Sequence, residues 1–255
     1  MIHDTAIIHP SAKLADDVQV GAYSLIGADV EIGAGCVIGP HVVINGPTRM
    51  GKNNRIFQFA SVGEECQDKK YNGEPTRLEI GDDNVIREHV TMHRGTIQDN
   101  SVTKVGSRNL FMAYVHVAHD CIVGNDCIFA NNASIAGHAV VGDGVILGGM
   151  TGVHQFCHIG DFAMTSGCSL VLKDIPAYVM VSGNPAAARS MNFEGMRRRG
   201  WDKDEIAMLR RAYRVIYRQG LTVDEALAEL QQWPASVRLQ PLIDSLKSST
   251  RGITR

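Results

Sequence analysis

From Val105 to Pro176 a large apolar residue returns at every sixth position. Units of six open at Val105, Phe111, Val117, Val123, Phe129, Ile135, Val141, Leu147, Val153, Ile159, Thr165 and Val171, and only Thr165 departs from an aliphatic or aromatic opening. The fifth place is mostly small (Cys121, Cys127, Ala133, Ala139, Thr151, Cys157, Ala163, Ser169), and glycine often fills the second. A period of six matches neither an amphipathic helix nor a long alternating strand; it predicts short strands joined by tight corners. One such unit points one large and one small side chain inward and cannot shield them alone, so burial comes only from stacking. Three units close a triangular coil, and coils stack about 4.8 Å apart through backbone hydrogen bonds. The pattern predicts a mainly β chain, a parallel β-helix of hexapeptide coils.

The same template starts near the N-terminus, with units opening at Ile8, Leu14, Val20, Ile26, Ile32, Ile38, Ile44, Met50, Ile56 and Val62. It fails over a polar, turn-rich stretch at 68–79, resumes at Ile80, Ile86 and Met92, and fails again at 95–104. Both stretches read as excursions from the wall of the solenoid. Numbering the units in threes places those opening at Val62, Met92, Val117, Ile135 and Val153 on one side of the prism, and both excursions leave from it. That side also carries His93, His119, Asp120, Gly137, His138, His154 and Gln155, with His119, Gly137 and Gln155 one coil apart in a single column.

After about residue 190 the composition shifts to helix formers. Residues 192–199 predict a short helix ended by Gly200, and Asp202-Lys-Asp-Glu205 reads as a cap before apolar residues at helical spacing, stopped by Gly220. A further helix starts at Thr222 or Asp224, and a last one covers 241–248. The expected division is a β-helix over 1–190 and an α-helical domain over 191–255 that hides the apolar last coil.

The formal net charge of -2 supplies no bulk field for nucleic acid or membrane. The start lacks a basic segment followed by an apolar run, and no stretch is apolar for long enough to span a bilayer, so a cytoplasmic location is expected. Five of the six cysteines (Cys36, Cys66, Cys121, Cys127, Cys157) fall on the small fifth place, where free cysteine packs as a small hydrophobe.

In Tyr114-Val-His-Val-Ala-His-Asp120 neither histidine occupies an inward place, and a neutral imidazole suits proton abstraction from an alcohol near neutral pH. Gly137, one coil above His119, lets a substrate approach a backbone N–H, the donor an acyl transfer needs for its oxyanion. A zinc reading stands beside this one, with His116, His119 and His138 as ligands, although the spacing matches the hexapeptide carbonic anhydrases poorly. Arginines cluster at Arg197, Arg198, Arg199, Arg210, Arg211, Arg214 and Arg218, a face suited to an acidic partner or a diphosphate.

Taken together, Gln67-Asp-Lys-Lys-Tyr-Asn-Gly-Glu-Pro-Thr-Arg77, His93-Arg-Gly95, His116-Val-Ala-His-Asp-Cys121, Ala136-Gly-His138, Gly148-Gly-Met-Thr-Gly-Val-His-Gln-Phe156, Asn192-Phe-Glu-Gly-Met-Arg-Arg-Arg-Gly200 and Ser249-Thr-Arg-Gly-Ile-Thr-Arg255 make the chain resemble the UDP-N-acetylglucosamine O-acyltransferases of lipid A biosynthesis. The resemblance implies a homotrimer of left-handed β-helices, with active sites between subunits, that moves a 3-hydroxyacyl group from acyl carrier protein to the glucosamine 3-hydroxyl of UDP-N-acetylglucosamine, without cofactor or metal. By the same likeness His119 is the general base, Asp120 its orienting partner and the Gly137 N–H the oxyanion donor. Asp68 and His138 then contact the hydroxyl region of the acyl chain. Gln67, Lys70, His93, His116, His154, Gln155, Asn192, Glu194, Arg198 and Arg199 line the other substrate surfaces. Gly167 sits where the family sets acyl length; with no side chain to block the groove, a chain of about twelve to fourteen carbons is expected. Phe193 departs from the smaller aliphatic residue usual in relatives. Two rival readings are the related N-acyltransferase, which carries a further N-terminal domain, and a non-catalytic hexapeptide scaffold.

Overall fold

Each hexad places its opening residue at the end of a strand that is mostly two residues long, and alternation turns that residue inward. The computed structural model describes residues 1–255. The strands stack into three sheets of nine, eight and ten members, parallel but for the last strand of the third, the walls of a left-handed β-helix. The first wall includes Ser61–Glu64, Thr91–His93, His116–Val117, Ser134–Ile135 and Gly152–Val153. Lys13–Leu14 and Gln19–Val20 begin the second and third walls. Val117 pairs with Ile135, and Ile135 with Val153, so the predicted coil period is the observed register. A cluster of 41 buried residues fills the bore.

Thr165, the exception to the apolar openings, is fully buried, and its hydroxyl pairs with Thr151 Oγ1 at 2.8 Å and accepts the Gly148 N–H at 2.9 Å. Two small hydroxyls thus satisfy each other where one large side chain is missing. Cys36, Cys121, Cys127 and Cys157 are free thiols within the core; Cys66 is also buried but lies outside the main cluster, at the root of the first excursion. Burial pushes Cys121 and Cys127 up to about 12, which suits filler rather than nucleophile.

Asparagine at the fifth place is the feature the small-residue rule misses. Asn54, Asn84 and Asn109 are buried one above another at the edge between the second and third walls. Asn54 Oδ1 accepts the Asn84 N–H at 2.9 Å, Asn84 Oδ1 accepts the Asn109 N–H at 3.0 Å, and Asn109 Oδ1 accepts the Cys127 N–H at 2.8 Å. Their amide groups donate to Gly81, Gly106 and Gly124 carbonyls. The ladder closes backbone groups that the tight corners leave open. A second ladder lies outside, at the edge between the third and first walls, where Tyr23, His41, Phe59, His89 and Tyr114 stack at centroid distances of 4.6–5.4 Å.

Both excursions leave the first wall at its edge with the second. Strands resume at Arg77–Ile80 and Val102–Val105, earlier than the polar pattern implies, because Arg77 to Ile80 pair in parallel with Val102 to Val105 despite their polar outward residues. At the far end Val179–Ser182 pairs antiparallel with Ala187–Met191, so the composition boundary at 190 falls inside a strand that the hexad pattern does not reveal. Helices α1 (Phe193–Arg198), α2 (Lys203–Arg218), α3 (Val223–Leu230) and α4 (Gln240–Lys247) follow. Asp202 and Thr222 form capping boxes with Glu205 and Glu225, which fixes where α2 and α3 begin. Trp201 packs edge-on against Tyr178 and Phe162, and Ser245 Oγ accepts the Ala177 N–H at 3.0 Å, so this unit closes the last coil. The first coil has no such cover, and Ile8 and Leu14 remain half-buried.

Asn84→Ala strands the Gly106 carbonyl and the Asn109 N–H in the interior, and it should lower the unfolding free energy by about 2–4 kcal/mol. Glu79→Ala, which removes only the exposed pair with Arg77 (2.7 Å), should cost under about 1 kcal/mol. Denaturant titration of both variants checks the contrast.

Candidate active site

At the edge between the first and second walls, Asp120, His138 and Phe156 take left-handed backbone angles (φ 57°, 62° and 63°) at equivalent corners of three consecutive coils. The preceding residues, His119, Gly137 and Gln155, therefore stack in one column. His119 Nδ1 bonds Asp120 Oδ2 at 2.9 Å, and the Asp120 side chain is wholly buried. An added Cβ at Gly137 would lie 2.5 Å from His119 Nε2 and Cε1, so the absence of a side chain there is what admits the imidazole. The Gly137 N–H makes no hydrogen bond within the chain. His119 thus lies against a free backbone donor, with its Nδ1 committed to a carboxylate.

A cleft of about 470 Å³ opens beside this column. Of the sequence-predicted residues it is lined by Gln67, Asp68, His93, His116, His119, Gly137, His154 and Gln155. Ser134, Gly152 and Leu170 add to the lining, and they sit at outward strand positions of the first wall that period-two alternation marks. His116 Nδ1 shares a 2.7 Å hydrogen bond with Thr91 Oγ1 and meets the His93 ring edge-on at 5.0 Å. His138 lies just behind, its ring stacked on Phe156 at 4.4 Å, its Nδ1 2.9 Å from Asp99 Oδ2 and its Nε2 3.9 Å from Asp120 Oδ2. His119, Asp120 and His138 offer three ligand-capable atoms within 4.8 Å, a set different from the three histidines of the zinc reading. Within that set His119 Nδ1 and Asp120 Oδ2 already bond each other.

The remaining predicted residues lie elsewhere on the single chain. Lys70 is on the exposed first excursion, its N–H bonded to Asp68 Oδ1 at 3.0 Å. Gly167 is at the edge between the third and first walls, where an added Cβ would meet only Gly149 O at 3.3 Å. Asn192 caps α1 through the Gly195 N–H and donates to Phe162 O, Arg199 lies 4.6 Å over the Phe162 ring, and Glu194 pairs with Arg197 and Arg198. Those four residues therefore stand near the edge between the second and third walls, away from His119. Thr96 and Asp99 were not expected at the site. Both lie in an excursion whose polar, non-repeating sequence carries no register.

Burial works against ionisation of Asp120, but hydrogen bonds from His119 and from the Thr96 side chain and N–H outweigh it and hold the carboxyl below the usual range. Burial and the neighbouring His119 hold His116 below the ordinary imidazole value, and burial with His116 beside it brings His93 down to about 4.

Proteins built of hexapeptide coils form a broad class of bacterial transferases, and residues 11–46 and 103–137 match the family described as bacterial transferase hexapeptide (six repeats). Residues 174–254, the hairpin and helical unit, match the family described as UDP N-acetylglucosamine O-acyltransferase, domain 2. Over 256 residues the chain is 58% identical to the acyl-(acyl-carrier-protein) UDP-N-acetylglucosamine O-acyltransferase of Stutzerimonas stutzeri, an alignment covering 100% of this chain and 99% of that one. Identity to the enzyme of the same name from Pseudomonas aeruginosa is 60%, with the same coverage. Among solved structures, LpxA from Acinetobacter baumannii superposes with a TM-score of 0.98 at 58% identity, and the UDP-N-acetylglucosamine O-acyltransferase of Moraxella catarrhalis with 0.96 at 52%, each covering 100% of this chain and 99% of the other. The chain belongs to the UDP-N-acetylglucosamine O-acyltransferase family and is an acyltransferase.

Because the folded pKa of His93 is depressed, the unfolded chain takes up a proton below about 6.5 that the folded one refuses until about 4. Its contribution to stability is complete above pH 6.5 and falls as the pH drops through that window. His93→Gln should remove this slope, so that on going from pH 7 to pH 5 the variant loses about 2 kcal/mol less than the wild type. Chemical denaturation at the two pH values measures the difference.

Proposed function

We propose that the protein transfers a 3-hydroxyacyl group from acyl carrier protein to the glucosamine 3-hydroxyl of UDP-N-acetylglucosamine, the first step of lipid A biosynthesis, in the cytoplasm. The observation that carries this reading is the His119–Asp120 pair set against the free Gly137 N–H in the cleft. The substrates in the names of the relatives agree with it. His119 Nε2 takes the proton of the sugar hydroxyl as its oxygen attacks the thioester carbonyl. The tetrahedral oxyanion is met by the Gly137 N–H. When the C–S bond breaks, the imidazolium returns its proton to the departing thiolate. Asp120, already bonded to Nδ1, orients the ring and stabilises its charged form between the two steps.

Asn192, Glu194, Arg198 and Arg199 can serve this cleft only from a second copy, since on their own chain they stand at another edge. The outer face of the third wall supports such an assembly. Val85, Leu110, Ile128, Ile146, Met164 and Met180 form an outward apolar column in unbroken register, a surface that calls for a cover. A homotrimer pairing that wall with a neighbour's first wall completes the site. The arginines of α1 and α2 receive the acidic carrier. Gly167 leaves the acyl groove open to about twelve to fourteen carbons.

Incubation with 3-hydroxyacyl carrier protein and UDP-N-acetylglucosamine should yield the O-acylated nucleotide by mass spectrometry; a scaffold yields none. His119→Ala should lower turnover by about 100-fold or more, and a near-wild-type rate removes His119 from the role. Gly137→Ala, which drives a methyl into the His119 ring without requiring an unusual backbone angle, should also lose about 100-fold in kcat with the melting temperature little changed.

A further inference from the structure

Thr96, at the root of the second excursion, is 2% exposed and holds Asp120 through two donors. Its N–H reaches both carboxylate oxygens, at 2.9 and 3.0 Å, and its hydroxyl donates to Oδ2 at 2.6 Å. Oδ2 is the oxygen that holds His119 Nδ1. Thr103 Oγ1 accepts the Asp120 N–H at 2.8 Å, which fixes the backbone beneath. We propose that Thr96 is the positioning residue of the His119–Asp120 pair: it holds the carboxylate in the one rotamer that keeps Nδ1 protonated and leaves Nε2 free to act as base.

The root of the excursion is built to hold Thr96 in place. An added Cβ on Gly95 would overlap the Val102 N and lie 2.8 Å from Asp120 Oδ1, so the strand-to-loop turn closes this near to the carboxylate only with glycine at 95. Arg94, buried beside it, donates through Nη1 to the carbonyls of Gly46 and Gly63 at 2.8 Å each and through Nη2 to Tyr71 Oη at 3.2 Å. One guanidinium thereby ties the start of the excursion to two lower coils and to the first excursion. A carboxylate held by two fixed donors besides the imidazole has no freedom to rotate away from it. With the Thr96 hydroxyl removed it has that freedom, and its hold on Nδ1 loosens.

The proposal rests on His119 acting as the base. Thr96→Val keeps the shape of the side chain and its N–H but deletes the hydroxyl. It should lower kcat by about 10-fold with KM unchanged. Thr96→Ser should restore kcat. A wild-type kcat in Thr96→Val, a change confined to KM, or a failure of serine to restore kcat would overturn the proposal. Nitrogen-15 NMR of histidine-labelled protein decides independently of turnover. The wild type should show His119 as the Nδ1–H tautomer and Thr96→Val a mixture, whereas identical spectra refute the role of Thr96. Absence of acyl transfer by the wild type would instead count against the functional reading and leave the NMR result to stand alone.

Discussion

The hydrogen bonds between successive coils carry everything else in this molecule. Most strands are two residues long and none could persist alone, yet each strand between the two ends is paired above and below in fixed register. A slip of one residue in the coil of His119 would turn its large aliphatic side chain outward and carry His119 off Gly137 in the same motion. Core packing and the geometry of the reactive edge are thus two results of one register.

The excursions show how a repetitive scaffold gains chemistry. A pure hexad wall presents the same few positions again and again, and a buried carboxylate needs donors that such a wall lacks. The chain supplies them by leaving the register after His93 and returning at Val102, which places Thr96 against Asp120 and Asp99 against His138. Both excursions join the same edge, and Arg94 links one to the other through Tyr71. The strained-looking corners and the loops divide the labour: corners set spacing along the column, loops fill in the partners.

The architecture was legible because its cause is periodic: side chains one coil apart must share an edge, so the column at 119, 137 and 155 follows from counting. The capping residues Asp202 and Thr222 were legible for a local reason, since their side chains close the first helical turn within three residues. The asparagine ladder was not, because a polar residue at a core position breaks the apolar rule and only its stacked partners explain it. Thr96 and Asp99 lie where the period fails, and their contacts with Asp120 and His138, 24 and 39 residues away, depend on a loop path that no repeat dictates. The placement of Asn192 and Arg199 at a different edge from His119 also lay beyond reach, because the hairpin at Val179–Met191 turns the chain back before α1.

The two ends of the solenoid differ in cohesion. At the carboxyl end α4 and the bridge between Asp174 and Ile253 seal the last coil, whereas at the amino end Ile7 is 65% exposed and the first coil has a neighbour on one side only. In a stacked array each layer is held by the layers beside it, so unravelling begins where a layer has a single contact and proceeds inward from there. The column of His119, Gly137 and Gln155 lies several layers from that loose end and close to the sealed one. Breathing of the amino-terminal layers can therefore absorb thermal motion while the His119 column stays in place.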